Sequence, residues 1–293
     1  MSRRRRSLPY LAAVLALLAA GDVAAQRRID ERAAFRGGGI RIYNMVGTVR
    51  VLGWAHDSIA VSGTVHEGGE PFLVHVAAEG AKIGIWDPKA TKLPPSDIEV
   101  RVPAGTQVWV KTGSAGITVG GLTGGVDLVS VTGSIQVTGR PRELAAETMG
   151  GSIAAAVDTR RVRLKTAAGA IALRGMIDDI DATSVSGAIE IAGGAIRQGR
   201  FESIEGRIVH SGTFDPDASL EFTTHSGTIE FALPTRASAA FMVRTFEGSL
   251  DDRLGVTVSK TARPTGRELV FDVGEGEAEV TVNSFRGTVV LRR

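Results

Sequence analysis

The sequence predicts an all-β protein: a single parallel β-solenoid, β-helix-like, with coils of 18–21 residues. Three observations predict it. One pattern recurs along the chain, seen in Val126–Val137 (VDLVSVTGSIQV): alternating apolar residues, a small hydroxyl, a turn with Gly, then an aliphatic residue and a further apolar one. The period of two within each half is that of a strand. The aliphatic residue after the turn recurs as Ile117, Ile135, Ile153, Ile171, Ile189, Ile208, Ile229, Leu250 and Val289, with four steps of 18 residues, then 19, 21, 21 and 39. A short period of this kind marks a repeat architecture. Finally, 37 Gly and an aromatic content of 5% suit layers of Ile, Val and Ala joined by many turns. Crossovers between parallel strands are right-handed as a rule, so a right-handed coil is expected.

The columns of the repeat justify each part in order. Five residues before each ladder aliphatic stands a hydroxyl: Thr112, Ser130, Thr148, Thr166, Ser184, Ser203, Thr224, Thr245 and Ser284. Ser and Thr at one corner can bond backbone groups there, so this column reads as a structural ladder. The Gly between the halves is expected to supply a positive φ. Stacked coils lie about 4.8 Å apart, so nine of them would make a rod near 40 Å long.

Residues 1–25 read as a secretory signal peptide: Arg3–Arg6 are the basic start, Leu8–Ala20 the apolar run, and Val23-Ala24-Ala25 the cleavage site. Arg5-Arg6-Ser7-Leu8 is only a partial twin-arginine pattern, and the ordinary secretory reading is preferred. The apolar run falls short of the roughly 20 residues a membrane span needs, and no transmembrane span is expected in the mature chain. With no Cys, disulfides and a lipidated N-terminal Cys are excluded. Residues 26–39 read as a flexible lead and 40–293 as the solenoid domain. Within it, 40–105 are irregular N-terminal strands, 106–233 the regular coils, and 234–293 looser coils with an insertion at 251–276. Residues 87–97, with three Pro, read as a loop. Asn44 and Val49 match the hydroxyl and ladder columns, which suggests an outlying first coil, and the segment 280–291 is expected to close the array.

The repeats resemble those of the bacterial "putative adhesin" domain-of-unknown-function family. The resemblance is carried by IRIYNMVGTVRVLGW, DIEVRVPAGTQVWVKTGSAGITV, TSVSGAIEIAG, TTHSGTIEFALP and VNSFRGTVVLRR, within residues 36–293. It implies a parallel β-solenoid and an envelope or surface location, and no catalytic residues.

Taking four Arg and Asp22 with the signal from 34 basic and 32 acidic residues leaves 30 and 31. A basic polyanion-binding stripe is absent, so nucleic acid is not an expected partner. The five His are scattered, and His210 and His225 fall in different columns, so no metal site is expected. No GxSxG, P-loop or GxGxxG opening a helix occurs, so neither catalytic residues nor a cofactor are expected. The acidic clusters Asp178-Asp179-Ile180-Asp181 and Asp251-Asp252 read as solvated turns.

A ligand or partner surface is expected from two outward columns. One runs through Trp109, Arg163, Asp181, Arg200 and Glu221, where alternating charges become neighbours up the stack. Trp109 is expected to cap the open end. The other is a flat small-residue face around Ala154 and Ala172. The reading is an exported, non-enzymatic, adhesin-like or scaffold protein, periplasmic or at the cell surface, binding an envelope protein or glycan. The alternatives are a polysaccharide-acting enzyme using Asp181 and Glu221, and a structural protein that self-associates end to end.

Overall fold

A computed structural model of the chain describes residues 26–66, 72–85, 94–257, 259–262 and 266–293. The signal segment 1–25, Trp86 and most of the loop expected at 87–97 lie outside these residues. The described residues form 27 strands and no helix, and none of their segments is a helix long and apolar enough to cross a membrane.

The strands form two long, mostly parallel sheets, of 13 and 14 strands. From Gln107 to Ala232 they alternate strictly: each coil gives one strand to the 14-stranded sheet, turns a corner, and gives the next to the 13-stranded sheet. Each strand pairs in parallel with its equivalent one coil earlier, as in Val126↔Leu144↔Val162 on one sheet and Ile135↔Ile153↔Ile171↔Ile189 on the other. The ladder aliphatics from Ile117 to Ile229 are all at most 1% exposed. The sheets face each other across one core, and Phe222 of one meets Phe231 of the other edge-on at 5.0 Å. Each fully buried aliphatic contributes about 1.5–3 kcal/mol, and the identical register lets each coil cover the apolar face of the last.

The corner between the paired strands is set by two columns. The hydroxyls of Ser130, Thr148, Thr166, Thr224 and Thr245 accept hydrogen bonds from the backbone N–H three residues on, at 2.7–3.0 Å. The N–H groups belong to Gly133, Gly151, Gly169, Gly227 and Gly248, and the reason for glycine there differs from the expectation. None of these five has a positive φ. A Cβ on Gly169 would instead lie 1.8 Å from the carbonyl oxygen of Gly151, and one on Gly187 1.9 Å from that of Gly169. Coils approach so closely at this corner that only a hydrogen fits.

The structure departs from the sequence reading in four ways. Residues 26–34, expected to be a flexible lead, form a strand antiparallel to Ser58–His66. The polar composition hid two anchors: Ile29 and Phe35 are each 3% exposed, while Arg32 lies over the Trp54 ring at 5.2 Å. The strands Gly39–Asn44 and Gly47–Trp54 form the first coil that Asn44 and Val49 indicate, but it is not set apart. They stack directly on the regular array, with Asn44↔Thr112 and Val49↔Ile117 in register. The final coil does not close the array: Ala278–Ser284 lies between Ser219–Thr224 and Ala239–Thr245, and Thr288–Arg292 between Ile229–Ala232 and Ser249–Asp252. Burial gives the reason. Val289 and Leu291 are fully buried, whereas the Ser249–Asp252 strand is only half-covered, as suits an edge. Finally, Asp178, Asp179 and Asp181 lie within the strand Ile177–Ser184, where Asp179 pairs with Arg161 at 3.2 Å.

Antiparallel pairs among the described residues occur only at the stack's two ends: Gln26–Ala34, Ser58–His66 and Ser96–Pro103; Leu73–Ala77 with Gly80–Gly84; and Ala239–Thr245, Arg267–Val273 and Ser259–Ala262. The close corner makes a direct prediction. Gly169→Ala, at an otherwise unstrained φ, is expected to cost about 2 kcal/mol through overpacking, read as a lower urea midpoint, while Gly105→Ala, with open space around it, should leave the midpoint nearly unchanged.

Candidate functional site

The outward residues singled out from the sequence are divided between two faces. Trp109, Arg163, Asp181, Arg200 and Glu221 share a column of the 14-stranded sheet. Ala154 and Ala172 are adjacent on the outer face of the 13-stranded sheet. Sheet membership therefore keeps the two sets apart.

On the first face the charges form a ladder. Arg200 pairs with Glu221 at 3.2 Å, Asp181 accepts a hydrogen bond from Thr183 Oγ1 at 3.2 Å, and Glu221 accepts one from Asn283 at 3.1 Å. Asp181 and Glu221 are two strands apart with Arg200 between them, so they make no facing carboxylate pair. Nearby, burial and then the neighbouring Glu147 charge push the Asp127 carboxyl above its usual range. Trp109 caps no open end. The strand Gly39–Asn44 lies beside it, its ring crosses Gly39, where a Cβ would be 2.1 Å away, and the Arg41 guanidinium sits 5.1 Å above it. Ala154 and Ala172 floor a shallow depression of about 440 Å³ between Gln136 and Glu190, rather than a flat face.

Two buried polar groups stand out: Glu230 farther along the outer column of Ala154 and Ala172, and His210 on the inner side of the same sheet. Glu230 is held by Arg207 and Arg292; burial raises its carboxyl, but the two guanidinium groups outweigh this and hold it below the usual range. His210 occupies an inward column between Ile191 and Phe231. The longer coil explains its cover: Phe214, in the extra loop before Ala218, stacks on the imidazole at 4.6 Å and 6°. Burial pushes His210 down to about 4. Among the described residues no cluster of three or more His, Asp or Glu could hold a metal ion.

The feature that sequence reasoning missed runs along the corner. The residue after each hydroxyl turns toward solvent, and backbone hydrogen bonds between neighbouring corners set these residues in the order Val131, Met149, Ala167, Val185, Ile204, His225, Phe285, Phe246: directly from one to the next as far as Val185, and from Ile204 on through the N–H of each to the carbonyl of the neighbouring coil's hydroxyl residue. The six large aliphatic and Phe members are 38–64% exposed. Seven strand spacings make this apolar row about 34 Å long. His225 stacks on Phe285 at 4.9 Å and 11°, and Phe285 on Phe246 at 5.0 Å and 2°. From Val185 to Phe246 the row walls a groove of about 680 Å³. Its floor is the hydroxyl column, from Ser184 to Thr245. Its far wall is Thr183, Glu202, Thr223, Asn283 and Arg244, and Arg267 stands at the Phe246 end. The signal was present, since His225 falls in the column of Ile204 and Val185, but in the repeat that column is variable and adjoins a turn, where apolar side chains are not expected.

The sequence matches no family model and no curated protein. Its structure is similar to that of a "putative adhesin" from Parabacteroides merdae ATCC 43184, at 13% identity, covering 91% of this chain and 97% of that one with a TM-score of 0.57. It is also similar to a "Putative lipid binding protein" from Parabacteroides distasonis ATCC 8503, at 12% identity, 91% and 97% coverage and a TM-score of 0.50. At these identities the likeness is one of fold. The adhesin resemblance carried by the repeat motifs is thus matched in three dimensions.

His210 makes stability depend on pH. The imidazole is neutral in the fold down to about pH 4, while the unfolded chain takes up its proton near 6.5, so between these values the unfolded state binds more protons and stability falls as pH falls. The loss is expected to reach roughly 3 kcal/mol, read from urea unfolding at pH 7 and pH 4. In His210→Phe the part of the slope due to this residue should disappear; a variant with the same slope as the parent would refute the assignment.

Proposed function

We propose that the protein is an exported, non-enzymatic, right-handed β-solenoid that acts as an adhesin-like or scaffold protein in the periplasm or at the cell surface, binding an envelope partner. The observation that carries the binding role is the apolar row along one corner. Soluble proteins rarely leave a long continuous apolar strip exposed unless something binds there, and this strip sits on a body whose outer columns otherwise carry paired charges and small residues. The 13- and 14-stranded sheets support a rigid rod, and the basic and apolar segment at 3–20 supports export. A polysaccharide-acting enzyme would need facing carboxylates, and Arg200 separates Asp181 from Glu221. Self-assembly end to end would need open parallel edges, and antiparallel strands cover most of the ends.

The test is co-sedimentation of the purified protein with envelope fractions, reading bound protein and released sugar together. Saturable binding with no sugar release is expected. Sugar release that vanishes in the Asp181→Asn, Glu221→Gln double variant would establish the enzyme instead.

A further inference from the structure

We propose that the corner groove holds the hydrocarbon chain of a free long-chain fatty acid, with its carboxylate at Arg267. This names the partner chemistry of the binding role above and rests on it.

The groove presents few free hydrogen-bonding groups: the Ser184 and Ser203 hydroxyls of its floor have no partner among the described residues, but both oxygens are buried beneath the surface that a ligand would touch. In its floor the Thr224 and Thr245 hydroxyls accept from Gly227 and Gly248, and Ser284 donates to the Gly287 carbonyl. In its far wall Asn283 donates to Glu221, Arg244 pairs with Glu268 at 3.2 Å, and Glu202 approaches Arg200 at 3.9 Å. The amide and charged ends of that wall are thus engaged on the sheet face. A peptide or a glycan would bring donors and acceptors into the groove and leave them unpaired, at a cost of about 1–3 kcal/mol each. An acyl chain brings none.

The opposite wall gives the same answer. Because the His225, Phe285 and Phe246 rings stack face to face on one another, most of their faces are used up and the row offers edges, which are C–H apart from the ring nitrogens of His225. Sugar rings stack on aromatic faces; an alkyl chain packs on edges, and Val185 and Ile204 continue the wall without a polar atom. The dimensions suit a slender ligand: four strand spacings give about 19 Å of length, and about 680 Å³ lies within the range of small-molecule sites. A second copy of the chain would need about 800 Å² per partner for a stable interface, well beyond a row one side chain wide.

Charge fixes the direction and the source. Arg267 is exposed at the Phe246 end and has no ion-pair partner among the described residues, so it is available to a carboxylate. The charged members of the adjoining outward column alternate in sign, Lys111, Glu147, Lys165, Glu202 and Arg244, an excess of one basic residue that falls short of the clustered, roughly 4–8 Lys or Arg that draw a protein to an anionic bilayer. A single acid fits these charges better than a membrane surface.

The experiment titrates the purified protein with cis-parinaric acid, a fluorescent fatty acid, and displaces it with palmitate or with hexadecanol, alongside sedimentation with phosphatidylethanolamine–phosphatidylglycerol vesicles. Saturable binding is expected, with palmitate displacing better than hexadecanol. Ile204→Asp should abolish it. Arg267→Gln should weaken palmitate about tenfold, the effect of losing one charge-assisted hydrogen bond, and leave hexadecanol unchanged. Both side chains are exposed, and thermal melting confirms that each variant folds; should Ile204→Asp not fold, Ile204→Ser takes its place. Unchanged affinity in both variants overturns the proposal, as does binding to vesicles with none to the monomeric acid. Absence of acyl binding alongside retained sedimentation with envelope fractions overturns the fatty acid and leaves the binding role standing; absence of both removes the role itself.

Discussion

The fold depends on how closely successive coils approach at one corner. There the carbonyl of one glycine points at the Cα of the next, at a separation that excludes even a methyl group. Everything else in the coil follows from this contact. The hydroxyl three residues earlier must satisfy the glycine N–H, because the tight corner leaves that donor without a strand partner. The side chain beside the hydroxyl can only point outward. The aliphatic two residues after the glycine is delivered to the core at the same height in every coil. Register in a parallel sheet is otherwise weakly defined where side chains are small, as in Ala154–Ala156, and the glycine column removes that freedom.

The core changes character along its length without changing that corner. Toward the first coils it is built of Val, Ile, Leu and Ala; toward the last, Phe201, Phe222, Phe231, Phe241 and Phe271 join it and stack or meet edge-on at 4.9–5.1 Å. Volume is exchanged locally. Gly199 stands in an inward column where neighbouring coils have Ile180 and Leu220, and the Phe201 ring fills the space that its side chain would take. His210 belongs to this aromatic region by shape, and its imidazole is kept uncharged by the same packing that makes it fit. The longer coils supply the cover these larger side chains need.

Much of the architecture was legible in the sequence because the repeat carries its own register. The inward ladder from Ile117 to Ile229, the hydroxyl column and the ion-pair ladder at Arg200 and Glu221 could all be counted from spacing. Spacing says nothing about spatial order, however, and so the final coil was misplaced: Leu250 and Val289 satisfy the same column, and only their burial on both sides or on one decides which lies inside. The ordered segment 26–35 was hidden by its charges, since two apolar anchors, Ile29 and Phe35, among arginines and acids do not make a visible period. The groove was missed for a different reason. Each of its residues, taken alone, is an ordinary exposed turn residue, and the apolar row exists only when the coils are stacked.

The interleaved C-terminus has a consequence for the order of assembly. Coils up to Ala232 can be added one at a time as the chain emerges, each on a finished predecessor. The next segment to emerge, 239–252, finds no seat, because the strands it pairs with are made last. It must wait, with Phe241 and Val243 uncovered, until residues 278–292 have been synthesised and laid against the preceding coil. The stack therefore completes outward from its final strand, as a latch rather than another turn of the spring, and loss of the last fifteen residues removes the seat of the whole terminal cap.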